Sequence, residues 1–191
     1  MSMGPVIAIR VLVLLCLCLA SVRLHAGPAG EATESEVKAA FLYNFSKFIE
    51  WPETSFQSPA SPIVIGVVSD PSFAHTLNTI VAGKTVNGRT ILVKTLEPAS
   101  DLTGCHMVYV PGSNPRVAEF VARAPRASIL TVGDADEFTR TGGVIRFFLT
   151  SGRVRFEINI EAAQRANLRI SSKLLAVATL THSGTRRAGG E

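Results

Sequence analysis

The sequence predicts an α/β fold: a mostly parallel sheet of about five to six strands flanked by helices, with a C-terminal β-hairpin and helix. Three observations predict it. Short β-branched runs such as Ile63–Val68 are continuous and not alternating, as strands buried on both faces are. These runs alternate with helical stretches of about ten residues, the rhythm of crossovers between parallel strands. Towards the C-terminus the rhythm changes to two alternating runs around Thr150-Ser151-Gly152-Arg153, which predict a hairpin.

The first helix opens at Thr33-Glu34-Ser35-Glu36, a capping box with acidic residues in the first turn. Val37, Ala40, Phe41, Asn44, Phe45, Phe48 and Ile49 recur at i, i+3, i+4 and i+7, which predicts its buried stripe. Pro52 disfavours helical backbone at Trp51, so the helix ends about there. Leu42, Tyr43 and Trp51 add apolar surface beyond the stripe. A Ser/Pro-rich loop over residues 55–62 leads to the strand 63–68. Ser69-Asp70-Pro71 closes that strand and opens a helix over 72–81, which Gly83 stops. Asn87-Gly88 is a turn signal before a second strand, 90–94. A third strand spans 107–110 and is followed by Pro111-Gly112. Residues 116–123 read as a helix with Val117, Phe120 and Val121 on one side, and 127–132 as a fourth strand. The hairpin arms are 144–149 and 154–159. A short helix over 161–166 ends where Asn167 takes the left-handed conformation. Ser171 or Ser172 caps a last helix over 173–180.

The chain of 191 residues is 47% hydrophobic and 18% charged, which excludes a disordered chain and suits one core. Part of the apolar excess is the run VLVLLCLCLA after Arg10. A positive start, a short apolar run and a small residue beyond it predict a secretory signal over residues 1–26, cleaved after Ala26 with Leu24 three residues back. A spanning helix needs about 20 apolar residues, so an uncleaved anchor is the weaker reading. A lipoprotein is weaker still, because Leu precedes both Cys16 and Cys18. Residues 27–33 read as a flexible N-terminus, 34–180 as one domain and 181–191 as a disordered tail. After cleavage no segment remains for direct membrane insertion.

Cleavage removes Arg10 and Arg23, lowering the net charge of +4 by two, and argues against a nucleic-acid partner. It also removes two of the three Cys. Cys105 alone cannot form an internal disulfide, and its strand-like surroundings predict a buried, inert thiol. Intermolecular pairing is the alternative.

No G-x-S-x-G, H-E-x-x-H or P-loop pattern is present. Of His25, His75, His106 and His182, one leaves with the signal and one lies in the tail, and a single Cys builds no zinc spacing. The sequence therefore offers no catalytic residue, cofactor or metal site. Asp134, Asp136 and Glu137 follow the fourth strand, where open α/β sheets bind ligands. The simpler reading makes Asp134 a helix N-cap with two acids in the first turn. Arg155, Glu157 and Asn159 share one face of the second hairpin arm. They form either an exposed polar face or a patch that recognises a ligand or partner.

Three stretches together carry a resemblance: KAAFLYNFSKFIEWP from Lys38, ILTVGDADEFTRTGG from Ile129, and VRFEINIEAAQRANLRISSKLL from Val154. They resemble the YfiR family of exported bacterial proteins, over residues 34–178. The resemblance implies a periplasmic α/β domain, often a homodimer. It also implies a non-enzymatic regulator that binds the periplasmic part of an inner-membrane diguanylate cyclase and holds it inactive. Cyclic di-GMP, exopolysaccharide and biofilm output fall as a result, and stress relieves the repression. A departure is the lone Cys105, since the well-known repressor relies on disulfides. The interface expected for such a partner is Tyr43, Phe48 and Trp51, beside Phe41 and Phe45, with Arg155, Glu157 and Asn159 as a second patch. The alternative is a periplasmic small-molecule sensor acting on another receptor, with a pocket near Glu157. A hydrolase using Asp134, Asp136 or Glu157 is a third reading.

Overall fold

The computed structural model describes residues 32–97, 100–112, 114, 116–123 and 128–181. The expected export signal, residues 27–31 of the N-terminal segment and the tail from 182 lie outside them. Every element below belongs to the unit from Thr33 onward.

In chain order the elements are α1 (Glu34–Phe48), β1 (Ile49–Glu50), β2 (Ile63–Val68), α2 (Pro71–Val81), β3 (Thr85–Val86), β4 (Arg89–Leu96) and β5 (Met107–Val110). Then come α3 (Val117–Arg123), β6 (Leu130–Gly133), β7 (Ile145–Thr150), β8 (Arg153–Asn159), α4 (Ile160–Arg165), β9 (Arg169–Ile170), α5 (Ser172–Leu175) and β10 (Thr179–Thr181). The main sheet has eight strands in the order β10-β8-β7-β6-β5-β2-β4-β3, and β1 and β9 form a separate pair. Strands β4, β2, β5, β6 and β7 run parallel, while β8 turns back antiparallel on β7.

The strand count exceeds the expected five to six because short edges join the sheet. Thr179–Thr181 pairs with β8 in parallel register, where the sequence predicted the end of a helix. The last helix accordingly stops at Leu175, and Thr181 belongs to a strand and not to the tail. Such two- and three-residue edges are too short to carry a hydrophobic period. The first helix also ends early, at Phe48, because Ile49 and Glu50 pair with Ile170 and Arg169. Its capping box at Thr33 forms as expected.

Two cores flank the sheet. The larger holds Leu42, Phe45, Leu77, Met107, Tyr109, Ile145, Phe147 and Ile158. The smaller holds Val64, Val108, Phe120, Val121, Ile129 and Phe138. Phe120 and Val121 place α3 over the second face, so the sheet is wound on both sides. The buried side of α1 is Ala39, Leu42, Phe45 and Ser46, with Ile49 beyond. It is rotated from the predicted stripe, of which Val37, Ala40, Phe41, Asn44 and Phe48 stay partly exposed. Ser46 tolerates burial because its hydroxyl donates to the Leu42 carbonyl at 3.1 Å. Phe41, Phe45, Phe147 and Phe156 stack between helix and hairpin with ring centres 5.0–5.9 Å apart. Each such pair contributes about 0.5–1.5 kcal/mol beyond burial. Asn87-Gly88 and Ser151-Gly152 take positive φ at both positions, which a two-residue turn between twisted strands requires.

Candidate functional site

The chain leaves β4 at one side of β2 and returns as β5 on the other. In such sheets this reversal marks the usual ligand position, at the carboxyl ends of β2 and β5. Here the protein fills the neighbouring position with its own carboxylate. Asp134, just past β6, accepts hydrogen bonds from the Gly112 backbone N–H at 2.5 Å and the Tyr109 hydroxyl at 2.8 Å. It also pairs with Lys38 of α1 at 2.6 Å. Lys38 reaches Glu34 at 2.7 Å as well.

The expected N-cap role of Asp134 is thereby corrected: residues 134–142 form turns and no helix. The loop is pinned at its middle by Phe138, which is fully buried. A Cβ on either Gly133 or Gly143 would overlap the Phe138 ring. That ring occupies the space two missing side chains leave, which explains Gly133 and Gly143 in GDADEFTRTGG.

The far end of the loop is held by the hairpin. Arg146 and Glu157 face each other across β7 and β8. Arg146 Nε donates to Glu157 Oε1 at 2.8 Å, and a second guanidinium nitrogen donates to Oε2 at 3.2 Å. The Thr139 hydroxyl donates to the same Oε1 at 2.5 Å. Asn159 donates to the Thr139 carbonyl at 2.7 Å and accepts from the Ala162 N–H at 2.8 Å as the N-cap of α4.

Electrostatics follow from this wiring. Burial would raise the pKa of Asp134, but Lys38, Tyr109 and Gly112 outweigh it and hold the carboxyl below its ordinary value. Glu157 behaves likewise: burial is overcome by Arg146 and Thr139. Burial first, then the Asp134 charge, pushes the Tyr109 phenol up. Both carboxylates are fixed anions, the reverse of a general acid or base poised near neutrality. The hydrolase reading of Asp134 and Glu157 therefore finds no tuned group there. Asp136 is almost wholly exposed, at 3.4 Å from Arg146. Among the described residues no three His, Cys, Asp or Glu side chains are placed to hold a metal ion.

The expected strand patch also changes. Arg155 is exposed, but Glu157 and Asn159 are buried at 9% and 0%. The three residues share one face of β8, yet the loop 134–143 covers that face at Glu157 and Asn159. A cleft of about 510 Å³ opens between Glu34 and Lys38 of α1, Asp134, Asp136 and Arg146, with Phe147, Phe148 and Leu149 as its apolar wall.

The aromatic candidates divide among different surroundings. Phe48 packs, partly buried, against the larger core. Tyr43 is partly exposed, with the ammonium groups of Lys47 and Lys84 at 4.0 and 4.8 Å from its ring centre. Trp51 sits beside Phe56 and Arg89, lining two adjoining clefts of about 170 and 520 Å³. Its indole N–H donates to the His106 carbonyl at 2.9 Å. Arg89 lies over the Phe56 ring at 3.8 Å and donates to the carbonyls of Ser58 and Ser61. Sequence reading missed Phe56, Arg89 and His106 here, because Arg89 and His106 meet partners 28 to 55 positions away only through the sheet.

The three stretches quoted from the sequence meet in space. Lys38 binds Asp134, Thr139 binds Glu157 and Asn159, and Ile49–Glu50 pairs with Arg169–Ile170. A family model described as YfiR/HmsC-like matches residues 35–179, nearly every described element. No curated protein matches the chain. Among solved structures, a conserved domain protein from Vibrio cholerae O1 biovar El Tor strain N16961 superposes with a TM-score of 0.53 at 15% identity. The alignment covers 79% of this chain and 61% of that one, so this chain spans about three fifths of its neighbour's length. At that identity the likeness speaks for the fold.

Proposed function

The chain belongs to the YfiR/HmsC-like family, and from that premise we propose that it is a periplasmic regulator of an inner-membrane diguanylate cyclase. It binds the cyclase's periplasmic part in one conformational state, and differential affinity for that state holds the enzyme inactive. Cyclic di-GMP and biofilm output fall in consequence. The chain acts as a binding protein and not an enzyme, reaches the periplasm through residues 1–26 and works as a homodimer.

The observation that carries this reading is the family match across nearly the whole folded unit. We assign the partner surface to the region of Trp51, with Phe56 and Arg89 beside it and Tyr43 and the exposed Arg155 as secondary contacts. Trp, Tyr and Arg are enriched among the few residues that dominate binding energy in protein interfaces. A second reading, a small-molecule sensor, rests on the clefts at Trp51 and Lys38.

Co-purification from detergent-solubilised membranes, with the exported chain as bait, tests the assignment. Recovery of a cyclase, reduced at least about tenfold by Trp51→Ala, is expected for an interface hot spot. Recovery of no cyclase overturns the proposal. A metabolite that shifts the melting temperature in place of a captured receptor favours the sensor.

A further inference from the structure

We propose that His106 is a proton-operated catch on residues 51–61, so that acid reshapes the surface around Trp51. Its consequence for a partner rests on the assignment of that surface above; the catch itself does not.

Both ring nitrogens are committed. The Val64 backbone N–H donates to Nδ1 at 3.0 Å, which fixes Nδ1 as an acceptor. Nε2 therefore carries the hydrogen and donates to the Ser55 carbonyl at 3.0 Å. The ring is stacked on Phe56 at 4.3 Å, with Trp51 edge-on at 6.1 Å. The His106 backbone is locked into the sheet, its N–H on the Val64 carbonyl and its carbonyl on the Leu130 N–H, both at 2.9 Å. Only the side chain can respond to a proton.

A second proton must go to Nδ1, where it meets the Val64 N–H as donor against donor. The charged side chains nearby are Arg89 of β4, stacked on the other side of Phe56, and Glu50 and Glu53, which line the adjoining clefts. Strand β2 offers no titratable side chain. Burial and then Arg89 disfavour the imidazolium, the Ser55 carbonyl favours it, and the balance holds the group below its ordinary value. Once charged, the ring leaves Val64. The Ser55 carbonyl accepts more strongly from the imidazolium, so residues 55–56 move with it.

Trp51 is the chain's only Trp, so its fluorescence reports this corner alone. The full chain is titrated from about pH 8 to about pH 4.5, spanning the range in which histidine changes charge. The expected result is a change in Trp51 emission with a midpoint below 6.5, the ordinary histidine value, while far-ultraviolet circular dichroism stays constant. His106→Gln should abolish it. If that variant does not fold, the protection of the Val64 amide in the wild type, taken relative to the intrinsic exchange rate at each pH, should fall over the same range. Unchanged emission, a midpoint at or above 6.5, or an identical transition in His106→Gln overturns the catch. Cyclase capture at neutral pH that falls with the same midpoint supports the regulatory consequence. Capture at neutral pH with no acid dependence overturns that consequence, and Trp51 titration with no capture at any pH overturns only the partner assignment.

Discussion

Replacing Asp134 with Asn tests the wiring of the loop 134–143. One carboxylate oxygen takes both Lys38 and the Tyr109 hydroxyl, and the other takes the Gly112 N–H. An amide has one oxygen and one NH2. Turned one way, its NH2 faces the Lys38 ammonium; turned the other, it faces the Gly112 N–H. Either orientation sets donor against donor. Lys38 keeps only Glu34, whose side chain is 48% exposed. The Lys38 and Asp134 side chains are 12% and 22% exposed, so the pair is neither fully buried nor a surface pair. Breaking a buried pair costs about 3–5 kcal/mol and an exposed one about 0–1, which places this loss near 2–3 kcal/mol. At about 2–4 °C per kcal/mol for a domain of this size, the melting temperature falls by about 4–12 °C. Calorimetry of wild type and Asp134→Asn at neutral pH measures it. The sign with pH is fixed by the lowered pKa of Asp134: its contribution is present above the ordinary value of 3.8 and lost as pH falls through the folded value. The gap between the two proteins therefore closes in strong acid. A neutral-pH gap under about 0.5 kcal/mol, the level of an ordinary surface change, refutes the reasoning. So does a gap that persists unchanged in acid.

Gly133→Ala should cost about 1–3 kcal/mol in urea unfolding, because the added methyl meets the buried Phe138 ring. In a Gly133→Ala/Phe138→Leu double variant the two losses should sum to less than additive. Glu157→Gln should destabilise by about 2–4 kcal/mol by removing the charge that Arg146 pairs with in a mostly buried position, leaving it only the exposed Asp136. A hydrolytic turnover lost in that variant while stability is unchanged would restore the hydrolase reading. Cys105 is buried and its thiol pKa is pushed up by burial, with Lys94 opposing and Asp101 adding. It should resist thiol reagents in the native state at neutral pH and react only on unfolding, which a colorimetric thiol assay with and without urea decides.

The sequence was most informative where local rules dominate. The capping box at Thr33, the Asn87-Gly88 and Ser151-Gly152 turns, the buried strand Ile63–Val68 and the left-handed Asn167 each follow from a few neighbouring residues. It was least informative where partners are distant. The edge strand at Thr179–Thr181 owes its conformation to β8, and nothing in its own residues says so. Period two placed Arg155, Glu157 and Asn159 on one face correctly, but only the returning loop determines that two of the three are buried. Lys38 and Asp134 were both inside quoted motifs; 96 positions separate them, and only the fold makes them a pair. The buried side of α1 was rotated from its predicted stripe because Ser46 satisfies its hydroxyl within the helix, so polarity misled the pattern.

The most direct test of the regulatory assignment is cyclic di-GMP itself, measured in cells of the source bacterium with and without this chain. Deletion should raise cyclic di-GMP, the exported chain should restore the lower level, and removal of the membrane cyclase should abolish both effects. An unchanged cyclic di-GMP level on deletion, with the cyclase present, would contradict the account.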